Sequence, residues 1–439
     1  MFSSLRIALF ILASVVATNS VHAQGVLVGR LTTTTTGLQL NSGAQQPSIS
    51  PDGRYVALVS TSSNLGPPSS GALNVYRYDL VTDAYHLATS VLSGGNCFAP
   101  SISADGLALA FESNANNFGG GTPSSFVDVF YSEAFDAGQG EIAFNTYLVS
   151  RGLGGAAPNE GSRFASISGN GRFVAFHSDA SNLVAGDSNG APDIFVGDSL
   201  NLFGGAPQRI SVDASGAQIN GPSRALSPSA ISSDGRFVAF AVDTPVSING
   251  SNPGTLEDVF VRDRVAGTTS LMSKSSANVA GNGSSDKAAI SPNGRFVVFR
   301  SFSSNLVASL TGSNIYVRDR QNNITINMPM PPGGINCEDP RIADTGDIVS
   351  QCAVSGSSFQ QAFLYRPATD AFILLSTSQT AGNGNNTSGN FTGISADGNF
   401  MVFDTSASDL VPADTNNSPD VFLAIDANQF DQIFADGFE

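Results

Sequence analysis

The stretch "SISPDGRYVAL", Ser48 to Leu58, returns six more times along the 439-residue chain. The other copies begin at Ser101, Ser166, Ala230, Ala289, Arg341 and Gly393. Each is marked by an isoleucine: Ile49, Ile102, Ile167, Ile231, Ile290, Ile342 and Ile394. Their spacings are 53, 65, 64, 59, 52 and 52 residues. Self-similarity at such a period means a repeat architecture, and it limits the possible folds more than any other feature of the chain.

Every copy follows the same grammar. A short strand carries the Ile. Asp-Gly or Asn-Gly then makes a tight turn, because Gly tolerates positive φ and Asp or Asn bonds nearby backbone. A run such as "RFVAF" follows, apolar on successive residues, and so reads as a strand buried on both faces. A third strand comes about 21 to 28 residues after each Ile, as in "VFVRD" from Val259. Most copies add a fourth, as in "TTSLMS" from Thr268.

Four antiparallel strands per unit describe a propeller blade, and seven units predict an all-β, seven-bladed β-propeller. A parallel β-helix is the alternative, but its repeats are usually shorter and lack this four-strand grammar. The seventh unit stops after its third strand. The segment "VLVGRLTTTT", Val26 to Thr35, resembles a fourth strand without a preceding unit. Leu31 precedes Ile49 by 18 residues, as Val149 precedes Ile167. The N-terminal strand is therefore expected to complete the last blade and to close the ring, removing unpaired edges.

The pattern "ISxDGRFVAF…DVFVRD" resembles the WD-repeat-like propeller repeats of TolB-like bacterial proteins, over about residues 25 to 427. The resemblance implies the fold and little about function, because such blades host binding modules, scaffolds and a few enzymes. The chain shows no α/β domain ahead of the repeats, so the envelope partners of TolB itself do not carry over.

The two ends add an organisation of three parts. Residues 1–23 read as a signal peptide: Arg6, the apolar core "IALFILASVVA", and "VHA" before Gln24, with cleavage expected after Ala23. Residues 24–427 are the propeller. Residues 428–439 form a short acidic and aromatic tail, "FDQIFADGFE" from Phe430, which resembles brief endings on exported proteins of some Gram-negative bacteria. The expected protein is exported, to the periplasm or the medium, and monomeric. No later stretch is apolar enough to span a membrane, so no membrane insertion is expected after cleavage. Loss of Arg6 takes the net charge from −16 to −17, with 36 Asp and Glu. Such a surface repels nucleic acid and favours cations.

Candidate chemistry is sparse. The loops "GDSNGAPD" and "ADTNNSPD" place Asp187, Asn189 and Asp193, and Asp414, Asn416 and Asp420, at matching spacings. Oxygen donors of this kind suit a hard cation such as Ca²⁺. The same residues also bond loop backbone, and this reading is preferred, because the full Ca²⁺-loop signature and its closing Glu are missing. Cys337 and Cys352 flank a hairpin. The simplest turn leaves them offset by about one residue, so the turn type decides whether they form a disulfide. Cys97 shares the repeat position of Cys337, faces Glu112 across the hairpin on the same count, and is expected to be a buried thiol.

Beyond Ala23 the chain holds only His86 and His177 and no Trp, which argues against His-rich metal sites and Trp-marked propeller enzymes. The leading expectation is a binding or scaffold module for an envelope protein, a peptide or a glycan. One alternative is a glycan hydrolase or lyase with carboxylates at the channel mouth, and clustered acids plus Arg in one opening would favour it. Another is a structural, Ca²⁺-stabilised surface protein.

Overall fold

A computed structural model describes residues 21–23, 25–34, 37–65, 71–89, 95–115, 118, 125–138, 141–202, 205–224, 227, 229–243, 256–308, 310–412 and 414–427. The expected cleavage after Ala23 lies at the edge of these residues; most of the signal segment and the whole 428–439 tail lie outside them.

Seven antiparallel sheets follow one another along the chain. The first blade is typical: Ala44–Ile49, Tyr55–Ser60, Asn74–Asp79 and Ala84–Leu87 run in order from the innermost strand to the outermost. The second strands are the most apolar; Tyr55–Ser60 and Ala108–Ser113 are buried throughout. That agrees with the successive apolar residues in the sequence, since these strands are sandwiched between neighbouring blades. Seven apolar clusters pack the seams between blades, one per seam.

Ring closure follows the sequence expectation. The seventh blade holds Ser388–Ile394, Phe400–Thr405 and Asp420–Asp426, and its fourth strand is Val26–Arg30. Val26 pairs with Asp426 and Arg30 with Phe422 in antiparallel register. Val21–Ala23 then pairs with this strand as a short fifth one.

The repeat motif explains itself atom by atom. In the first copy the Ser50 hydroxyl donates to Asp52 at 2.5 Å and accepts the N–H of Tyr55 at 2.9 Å. Asp52 in turn accepts the N–H of Arg54. The same bonds recur around Ser232, Asp234 and Phe237. The turn glycine meets two demands. Gly235 has φ +74°, and a Cβ there would stand 2.1 Å from the ring of Phe173 in the preceding blade. The "DG" turn is thus both a turn and a seat for the neighbouring aromatic ring.

At this end of the ring, turn backbones bond from blade to blade, as in Asn170 N–H to Ser233 O and Ser233 N–H to Pro292 O. Beyond the turns, Arg172 and Arg236 pair with Asp198 and Asp263, which end the third strands of their own blades. Each guanidinium also lies over the adjacent ring, Phe173 or Phe237.

Candidate functional site

The innermost strands line the central channel, and they treat its two ends differently. All seven marking isoleucines converge on the narrow end, around a space of about 50 Å³. That leaves room for little more than a few water molecules. Toward the other end the same strands open into a cup of about 530 Å³, within the usual range of small-molecule sites.

The cup is shaped by bulges. Among the described residues, six innermost strands break register against their second strand, for example between Gln45 and Ser48 and between Arg163 and Ser166. The extra residue sits at positive φ in five of them: Gln46, Ala99, Phe164, Lys287 and Asp339, at φ 44–58°. Each lies three residues before its isoleucine, and all five line the cup. Bulges re-aim side chains, and five in a ring turn five side chains toward one space.

The backbone at these bulges is held from the neighbouring blade. Phe164 N–H donates to Glu112 Oε1 at 2.7 Å, Ala99 N–H to Gln46 Oε1 at 2.7 Å, and Gln46 N–H to Asp404 Oδ2 at 3.3 Å. Within blade seven, Phe391 N–H donates to Asp404 Oδ1 at 3.0 Å. Burial pushes the Glu112 carboxyl up to about 7 and Asp404 up to about 6, against the lowering effect of those N–H donors.

Charge is clustered in and around the cup. Lys287 pairs with Asp339 at 3.0 Å, and Arg300 bridges Asp286 and Glu338. Arg163 is exposed at the rim beside the half-exposed ring of Phe164. Arg341 lines the cup wall but is only 5% exposed. Its donors reach the carbonyls of Asp339 and Pro340, and its Nε has no hydrogen-bond partner. Acids and arginines therefore do share one channel opening.

The six loop residues weighed as cation ligands lie elsewhere, in two matching clamps. Gln218 Nε2 donates to Asp187 at 2.9 Å and to Asp193 at 2.8 Å. Arg209 pairs with both carboxylates, and Ser211 donates to Asp193 at 2.6 Å. In the seventh blade Gln39 donates to Asp414 and Asp420, Arg30 pairs with both, and Thr32 donates to Asp420 at 2.7 Å. Asn189 and Asn416 bond loop backbone, to Ile219 O and Leu40 O. The charge beside each Asp pair is thus a guanidinium. Among the described residues no three His, Cys, Asp or Glu side chains are grouped to hold a metal ion.

The clamps also show how complete the closure is. In blade three Arg209, Ser211 and Gln218 follow their Asp residues along the chain. In blade seven Arg30, Thr32 and Gln39 come from the opposite end of the sequence, yet occupy the same places.

Cys337 and Cys352 are joined by a disulfide and stand directly opposite each other. The one-residue offset expected from the simplest turn is absorbed by the bulge between Glu338 and Arg341. The equivalent bulge of blade two, between Phe98 and Ser101, corrects the pairing of Cys97. It faces Ser113, not Glu112, and Glu112 faces Phe98. Cys97 is buried and free, with its thiol pushed up to about 11 by burial. His177 lies opposite Arg163 within its blade, with its ring edge-on to Phe164. The bulge residues and Arg341 were not singled out by sequence reasoning. The available signal was the variation of the residues just before each marking Ile.

Fold and cup together define a closed seven-bladed β-propeller with one open channel mouth. The chain is similar in structure to oligogalacturonate lyase from Vibrio parahaemolyticus: 15% identity, 92% of this chain, 96% of that chain, TM-score 0.55. The β-propeller domain of the Trilobed protease from Pyrococcus furiosus aligns at 11% identity over 84% of this chain and 91% of that one, TM-score 0.50. TolB from Acinetobacter baumannii aligns at 18% identity over 65% of this chain, TM-score 0.36, and the chain spans 54% of that TolB's length. No family model and no curated protein sequence matches the chain. The lyase and the Trilobed protease domain share the propeller fold with this chain. No helix among the described residues is long and apolar enough to cross a membrane.

Proposed function

We propose that the chain is an exported binding module whose ligand, a glycan segment, enters the cup at the wide end of the channel. One contrast carries this reading. Isoleucine is constant at the narrow end in all seven repeats. Three residues earlier the same strands carry Gln46, Ala99, Phe164, Lys287, Asp339 and Phe391. Ring building alone would not diversify one position while fixing its neighbour. The left-handed backbone at five of these positions costs on the order of 1–3 kcal/mol each, and strain of this kind clusters at ligand sites. Phe rings, amides and charges together suit a sugar better than a wholly apolar ligand.

A second reading is a glycan-cleaving enzyme working at the same mouth. It is favoured by Glu112, whose carboxyl is pushed up to about 7 and so suits a general acid, with Arg163 and Arg341 in the same opening. The Vibrio parahaemolyticus relative is an oligogalacturonate lyase by name, which is consistent with glycan chemistry on this fold.

The test immobilises the protein and its Phe164→Ala variant, exposes both to solubilised envelope and a panel of polysaccharides, and assays the soluble phase for released fragments. Retention of a polysaccharide by the wild type alone, without fragments, supports the binding module. Fragments released by the wild type move the assignment to the enzyme. Equal retention by both proteins removes the cup from the function.

A further inference from the structure

We infer that the cup selects an acidic sugar, with Arg341 as the seat of its carboxylate; the inference rests on the binding reading above. The chain is strongly acidic overall, with 36 Asp and Glu against 20 Lys and Arg. The cup runs against that trend. Arg163, Lys287 and Arg341 all line it. Lys287 is committed to Asp339, while Arg341 has no ion pair among the described residues. It is buried, and its Nε is unbonded. Asp339 acts on this guanidinium only through space, and a buried guanidinium with no carboxylate in contact is costly, so the arrangement becomes favourable once a carboxylate arrives. The fork geometry of Arg matches a planar carboxylate.

The rest of the wall favours a sugar over an acidic peptide. Gln46 and Asn390 are amides whose oxygens accept Ala99 N–H and Gln351 Nε2, so that their NH₂ groups are the donors left for hydroxyls. Phe164 presents a ring 43% exposed at the mouth, and Phe391 lines the cup across from it. Stacking faces, amides and one buried cation correspond to ring face, hydroxyls and carboxylate of a uronic acid residue.

Titration calorimetry on the purified full chain tests this with three probes: a glucuronic acid trisaccharide, its methyl ester, and an aspartate tripeptide. The acid is expected to bind at least about tenfold more tightly than the ester, the ratio that one hydrogen-bonded charge pair supplies. Arg341→Gln should bring the acid down to the affinity of the ester. Arg163→Gln, at the exposed rim, should weaken the acid less and reduce its salt dependence, and a fold defect in the first variant does not affect it. Equal binding of acid and ester, lost in Phe164→Ala, overturns the carboxylate assignment and leaves the cup as a glycan site. Tighter binding of the tripeptide overturns the sugar assignment. No binding of any probe at millimolar concentration overturns this inference, while retention of a neutral polysaccharide by the wild type alone would leave the reading it rests on in place.

Discussion

Replacing Glu112 by Gln should stabilise the protein at alkaline pH and change it little in mild acid. Glu112 is nearly buried in the second blade, and burial raises its carboxyl from 4.5 to about 7. Its folded pKa lies above its unfolded one, so folding takes up a proton between those values. The charged form is penalised in the folded state. The penalty is absent below about pH 4.5, grows as pH rises, and is complete above about pH 7. A shift of this size corresponds to about 3 kcal/mol. The Gln amide keeps an acceptor for Phe164 N–H and cannot ionise. The value near 7 already includes the help that this N–H gives the charged form. The variant should therefore exceed the wild type by about 3 kcal/mol at pH 8 and by less than about 1 kcal/mol near pH 5. Far-UV circular dichroism in urea is the suitable assay, since the chain has no Trp. Asp258 and Asp404, each pushed up to about 6 by burial, give the wild type a similar slope at lower pH. Asp198 and Asp263 act the other way. Hydrogen bonds from Arg172 and Arg236 hold their carboxyls down, so their contribution is lost only as pH falls further. Parallel stability curves for wild type and variant from pH 5 to 8 would refute the assignment of Glu112 as a buried, proton-favouring group.

Three further outcomes follow from the fold. Asp420→Ala leaves Arg30 without its closest carboxylate at the ring closure and should cost about 3–5 kcal/mol, as should Asp193→Ala in blade three. Only Asp420→Ala should expose the segment around Arg30 to limited proteolysis; equal cleavage in both variants would show that the clamp does not hold the closure. Cys352→Ser opens a loop with a sequence separation of 15 and should lower stability by about 3 kcal/mol in denaturant titration, and the wild type with reductant should match it. Gly235→Ala meets both a positive φ and the Phe173 ring and should cost about 2 kcal/mol or more, whereas Gly216→Ala, with nothing within 4 Å, should cost less; equal melting points would refute the role of the aromatic seat.

The ring was legible in the sequence because its determinants are local and repeated. Ser, Asp and Gly of "ISxDG" bond within a few residues of themselves, so the motif appears wherever the turn does. The doubly buried strands announce themselves by successive apolar residues. Even the closure could be counted, because the orphan strand at Val26–Arg30 keeps the spacing of its relatives. The preference for backbone bonding by the Asp and Asn loops had the same local basis. Their Arg and Gln partners did not, since Arg30 and Gln39 lie nearly four hundred residues from Asp420 along the chain.

The cup was decided only by tertiary structure. A bulge adds one unpaired residue to a strand and leaves no mark in its composition, so a hairpin count pairs Cys97 with Glu112 when the fold pairs it with Ser113. That single residue matters because side chains alternate along a strand, and each added residue turns the next one to the opposite face. Six bulges around one axis move Phe164, Lys287 and their counterparts from blade seams to a shared space. Arg341 follows the bulge of its own strand directly and shares the cup with residues of other blades. Local bonding fixed the blade in the sequence; convergence of seven blades on one axis made the site.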